Sequence, residues 1–227
     1  MPTKKPTPKG KVTTVREHPR HVPVSRKNPN GITIVDKHPR RLPGTYLDPD
    51  EITSTFKTYE RKGIKYPTAG KITEFKTSDD YDDLIAIWTD FFNKKLGVNP
   101  PLDPDVVKAL IASESSFRKD PKENKLAFGI TQITKQTFKI VQDPSGEAKD
   151  FVFNKIRLKD LRDPNIAIPI AARWLSRKKF IARSKLKREP TDEEIILEYK
   201  GLLNSSTDFK DSALTNFRKY YGLLKKK

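Results

Sequence analysis

One carboxylate in this sequence stands where chemistry would want it and packing would not. In DVVKALIASESSF, residues 105–117, Val107, Leu110, Ile111 and Glu114 recur at i, i+3, i+4 and i+7, one face of a helix. Glu114 is the exception on that aliphatic stripe, in the last turn. An unpaired carboxylate there costs several kcal/mol unless something compensates it. Desolvation and the partly negative carbonyl end of the helix both favour the protonated form. A carboxyl group that keeps its proton near neutrality can deliver it to a leaving oxygen, as glycoside cleavage requires. The competing reading is a Glu at a frayed helix end turned to solvent, and periodicity alone favours it.

The rest of the inventory narrows the chemistry. There is no Cys, and the three His, at 18, 21 and 38, all precede residue 46. From 46 onward this removes Ser-His-Asp and Cys-His nucleophiles and His-rich metal sites. No phosphate-binding G-x-x-x-x-G-K-[ST] loop or dinucleotide GxGxxG unit occurs. Carboxylates, hydroxyls, amides, Tyr and Lys remain, and a carboxylate is the natural acid/base among them. His18, His21 and His38 lie in a Pro-rich stretch that offers no fourth ligand, so no metal and no cofactor is expected. The longest apolar runs, such as IAIPIAA at 166–172, are too short to span a membrane. The N-terminal MPTKKPTPKGK is basic, lacks an apolar core and does not read as a secretory signal.

A helical pattern must position Glu114, and it begins near residue 78. In SDDYDDLIAIWTDFFNKKLG, Ser78 or Asp79 is the expected N-cap. Leu84, Ile85, Trp88, Phe91, Phe92 and Leu96 form the stripe, and Gly97 is the stop. Asp103-Pro104 opens the helix that carries Glu114, as N-cap and first helical residue. A polar loop, RKDPKENK, follows Phe117. AFGITQI and a short helix near 135–141 come next, then mostly loop over 142–160. Asp163-Pro164 starts a long helix containing Ile166, Ile170, Trp174 and Leu175. Thr191 with Glu194 makes a capping box before IILEY. A last helix covers about 208–224. Trp88 and Trp174 read as core, and the basic stretch 173–188 as a solvated helix face.

Residues 1–45 are different in kind. They hold 8 of the 18 prolines and 11 Lys/Arg against 2 acidic residues, so +9 of the net +17 sits there. They also repeat: VREHPRHVPVS (15–25) returns as VDKHPRRLPGT (35–45), with HPR at 18–20 and 38–40. NPNG between the copies is a turn signal and ITIV a strand-like run. The expectation is a basic arm with short extended or hairpin elements, or one of low order. Residues 46–77 form a connector with one short helix and one strand, and 78–227 a helical domain. So basic a chain suits an anionic partner, nucleic acid or wall polymer.

Four motifs in order, ALIASESSF (109–117), AFGITQI (127–133), DPNIAIPIAARWL (163–175) and EYKG (198–201), resemble those of the soluble lytic transglycosylases. These stand beside goose-type lysozymes among lysozyme-like proteins, and the likeness covers about residues 84–221. It implies an all-α, lysozyme-like domain behind the basic Pro-rich arm. It implies that Glu114 is the acid/base that cleaves the β-1,4 bond between N-acetylmuramic acid and N-acetylglucosamine in peptidoglycan, leaving a 1,6-anhydro end. Ser115 would contact the site, Gly129 would let the backbone approach the sugar, Gln132 would hydrogen-bond it and Tyr199 would orient Glu114. The family's A-Y-N reads Glu198-Tyr199-Lys200, so Lys200 stands in place of a substrate-contacting Asn, where it could replace that contact, meet stem-peptide carboxylates or be solvated, and Thr131 stands in place of a Met. Lysozyme-type hydrolysis is the variant outcome at the same bond.

Read without the resemblance, Gly129 could be a turn residue alone and Tyr199 a core aromatic. The broken A-Y-N and the charge keep a second function class open: an inactive lysozyme-like scaffold serving in a virion, or binding nucleic acid or cell wall through the arm. The substrate lies outside the cytoplasmic membrane, so delivery by a phage or mobile element reconciles the reading with the missing signal.

Overall fold

The computed structural model describes residues 12–15, 18–21, 29–30, 32–35, 38–41, 45–121 and 126–226. In the arm, β1 (Val12–Val15) pairs antiparallel with β4 (His38–Arg41), and β2 (His18–His21) with β3 (Ile32–Val35). One register runs through both ladders, with Val12 opposite Arg41 and His18 opposite Val35. The leading strand of each repeat copy therefore pairs with the trailing strand of the other. Pro29 and Asn30 lie at an exposed turn. The expected metal-free state of His18, His21 and His38 concerns side chains outside the described residues.

The chain enters the helical domain through β5 (Thr45–Tyr46), which pairs in parallel with β8 (Phe151–Val152). Helix α1 (Pro49–Thr58) follows, opened by a capping box of Asp48 and Glu51. Turns over 59–81 lead to α2 (Asp82–Leu96) and α3 (Pro104–Ser115). A two-stranded hairpin, β6 (Ala127–Phe128) and β7 (Ile133–Thr134), precedes α4 (Lys135–Gln142). A 3₁₀ turn at Leu158–Arg162 leads to α5 (Pro164–Leu186), then α6 (Asp192–Tyr199) and α7 (Thr207–Lys225). Residues 122–125 of the expected polar loop lie outside the described residues.

Helix α5 is the axis of the core. Ile168, Ile170, Ala171, Ala172 and Leu175 have no exposed surface, and α2 and α6 pack on it. The stripe of α2 supplies an aromatic cluster in which Trp88, Phe91, Phe92 and Phe151 meet edge-on or stacked, with centroids 5.0–5.8 Å apart. Each such ring, fully buried, contributes about 2–3 kcal/mol. Helix α7 packs on α3 and closes the other side.

Two expectations need correction. Neither Ser78 nor Asp79 caps α2, which starts at Asp82 after Tyr81, with no side-chain cap. The acidic residues are drawn elsewhere. Lys108, fully buried on α3, donates to Asp79 (2.6 Å), Asp82 (3.0 Å) and the Thr68 carbonyl (3.1 Å). The stretch 173–188 is not wholly a solvated face either, because Arg173 and Lys179 turn inward and are buried. Burial lowers the Arg173 guanidinium to about 10, with Asp150 opposing.

Candidate active site

Glu114 stays at the edge of the core because its helix ends abruptly. Ser116 and Phe117 both have positive φ, 52° and 61°, in the left-handed region that side chains disfavour. The Ser116 amide still reaches back to the Ala112 carbonyl at 3.1 Å. Phe117 is then driven inward, against Tyr81 and Phe75. That anchor holds the turn, so Glu114 neither frays outward nor enters the core. Its side chain is 17% exposed.

The β6–β7 hairpin faces it. The turn over 129–132 is tight: the Gln132 amide donates to the Gly129 carbonyl at 3.1 Å, and Gln132 itself has φ 49°. Three surrounding elements hold this turn. A Cβ on Gly129, which has φ 71°, would stand 1.8 Å from the Leu161 carbonyl oxygen of the 3₁₀ turn. The buried Thr131 hydroxyl donates to the Ala167 carbonyl of α5 at 3.4 Å, and the Tyr199 hydroxyl at the end of α6 donates to the Thr131 carbonyl at 2.9 Å.

Between these pieces lies a cleft of about 200 Å³, lined by Glu114, Ala127, Gln132, Ile133, Thr134, Thr137, Tyr199 and Lys200. Glu114 is its sole carboxylate among the described residues. The Lys200 ammonium contacts the Glu114 Oε1 directly, and both side chains are about four-fifths covered. Burial first, and the Glu114 charge second, push the Tyr199 phenol well above its usual range, so it remains a donor.

The six residues singled out from the sequence do not all converge. Glu114, Gln132, Tyr199 and Lys200 line the cleft. Ser115 points away: it is buried, and its hydroxyl donates to the Ile111 carbonyl one turn back at 3.1 Å. Gly129 does not line the cleft, and contact with Leu161 accounts for the absence of a side chain there. The Gln132 amide group donates to the Gly129 carbonyl at 2.7 Å, bracing the turn. Tyr199 supports the hairpin rather than the Glu114 carboxylate, which Lys200 holds instead. Sequence reasoning missed Thr134 and Thr137, whose hydroxyls bond each other at 3.1 Å on the far wall. Their signal was T-K-Q-T at a helix start, where Thr134 caps the Thr137 amide.

Residues 92–185 match the family model of the transglycosylase SLT domain. That segment is similar to an SLT domain. The match begins inside α2 and ends in the last turn of α5, so it contains Glu114, the hairpin and the core axis. Tyr199 and Lys200, which complete the cleft, lie beyond it. No curated protein sequence matches the chain. The SLT domain points to peptidoglycan as the substrate and to the cell wall as the place of action. Among the described residues, no helix is long and apolar enough to cross a membrane.

Proposed function

We propose that this protein cleaves the β-1,4 bond between N-acetylmuramic acid and N-acetylglucosamine in peptidoglycan, with Glu114 as the single acid/base. The observation that carries the reading is a cleft in an SLT-like domain with one carboxylate among its described lining residues. Protonated Glu114 gives its proton to the glycosidic oxygen, and the N-acetylglucosamine side departs with a free 4-hydroxyl. The muramoyl acetamido oxygen stabilises the cationic C1 in place of a second protein carboxylate. The Glu114 carboxylate then takes the 6-hydroxyl proton as O6 closes on C1. This yields the 1,6-anhydro end and restores the acid. Tyr199, which stays protonated, braces the hairpin wall, and Gln132 fixes its turn.

Lys200 adds a condition. While its ammonium holds the Glu114 Oε1, that oxygen is not free to meet the glycosidic oxygen, so a productive complex moves Lys200 off. A glycan in the cleft supplies the means, since Lys200 lines the same space. Digestion of purified sacculi followed by mass analysis tests the proposal. Wild type releases muropeptides one water lighter than hydrolysed ones, and Glu114→Gln releases about 10²-fold less or lower still. Equal release by both proteins refutes it.

The same ion pair favours a second reading, an inactive scaffold whose acid is permanently neutralised and whose basic arm binds a polyanion in a virion, on nucleic acid or on the wall. Its mark is no muropeptide release by wild type, together with DNA binding that weakens steeply with salt and disappears on deleting residues 1–45.

A further inference from the structure

A second cleft lies apart from Glu114, with a volume of about 1010 Å³ against about 200 Å³. Its apolar floor is built by Ile52 and Phe56 of α1, Leu84 and Trp88 of α2, and Ile166 at the start of α5. Its rim carries six cationic residues against Asp160 and Asp163. Three of the six are paired: Lys155 with Asp48 at 3.2 Å, Arg157 with Asp160 at 3.3 Å and Arg162 with Asp120 at 3.2 Å. Lys57, Lys119 and Lys159 are exposed and have no carboxylate partner among the described residues. The two rim carboxylates are already engaged, Asp160 by Arg157 and Asp163 as the cap of α5.

The cleft thus offers three unspent positive charges around an apolar trough much too large for one small anion. A fitting occupant is extended, carries several separated carboxylates and presents small apolar groups between them. The chain's own arm is excluded by charge, with 11 Lys/Arg against 2 acidic residues. The peptidoglycan stem peptide has the required chemistry: alanine methyls alternate with free carboxylates, and it is tethered to the glycan that the Glu114 cleft would cleave. We infer that the α1–α2–α5 cleft is a binding site for this acidic stem peptide. The inference rests on the proposed action on peptidoglycan. It gives the protein a second hold on the polymer, through its peptide.

The test titrates N-acetylated L-Ala–γ-D-Glu–diaminopimelate–D-Ala into the isotope-labelled full chain. Amide shifts are expected along residues 49–57, at Lys119 and along 155–166. The triple variant Lys57→Glu, Lys119→Glu, Lys159→Glu should weaken binding by about tenfold or more, since three attractive rim charges become repulsive. It should also raise KM on intact sacculi and leave cleavage of peptide-free glycan strands unchanged. No saturable shifts, shifts mapped to another surface, or displacement of the peptide's role by a polyglycerol phosphate that binds the cleft when the peptide does not would each overturn the inference. Wild-type mapping does not depend on how the variant folds. Failure of the catalytic reading appears separately, as wild-type protein that releases nothing from sacculi.

Discussion

Two of the lysine–carboxylate contacts made by helix α3, at Lys108 and at Glu114, are built for opposite purposes. At Lys108 the ammonium has no exposure and spends its three protons on Asp79, Asp82 and the Thr68 carbonyl. Every donor is used, and the pair staples the 68–82 turns to the helix. At Glu114 one lysine meets one carboxylate at the wall of a cleft, and among the described residues Lys200 has no second acceptor. A saturated buried pair can only hold. A pair with spare valences beside open space can exchange its partner for a ligand. The difference lies in what surrounds the two charges rather than in the charges themselves.

Mutation can break this contrast at either end. The largest effect is expected at Glu114: Glu114→Gln should lower sacculus cleavage by about 10²–10⁴-fold, with the urea midpoint nearly unchanged. A parallel collapse of stability would make Glu114 a structural residue. Next, Lys108→Met should cost about 3 kcal/mol of unfolding free energy, because it leaves two carboxylates beside an apolar core without their cation. A shift below about 0.5 kcal/mol would show that the staple holds nothing.

The third effect depends on pH. Burial, opposed by Lys108, raises Asp82 from 3.8 to about 6. The native state therefore keeps a proton that the unfolded chain releases. This group favours folding fully below pH 3.8, and its contribution is lost as pH rises to about 6. Across that window Asp82→Asn should gain on wild type by roughly 1–3 kcal/mol, read from urea midpoints. A difference that shrinks instead would reverse the assignment. The smallest effect belongs to Lys200→Asn, which should change stability by under about 1 kcal/mol and retain or raise turnover. Destabilisation equal to that of Lys108→Met would erase the distinction between the two pairs.

Much of the scaffold was legible in the sequence because its signals are local. Asp103-Pro104, Asp163-Pro164, Gly97 and the Thr191–Glu194 box mark helix ends through short-range hydrogen bonds, and each stands where it was read. Glu114 stood out because periodicity made it an exception. What was not legible depends on contacts far apart in the chain. The start of α2 yielded to Lys108, 26 residues from Asp82. The roles expected of Ser115, Gly129 and Tyr199 changed with neighbours that spacing cannot show: Ile111 beneath one, Leu161 against another, Thr131 in front of the third. The second cleft gave no motif at all, since its charges are gathered from α1, the loop after α3 and residues 155–162.

The arm's register has a consequence for how its sequence can change. Each copy of the repeat serves as the template against which the other is aligned, so the hairpin acts as a length check on its own duplication. Delete one residue between β1 and β2, and β2 still finds β3, but β1 meets β4 one step out of phase. Substitutions can accumulate in either copy, but an insertion or deletion within one copy is tolerated only if the other matches it.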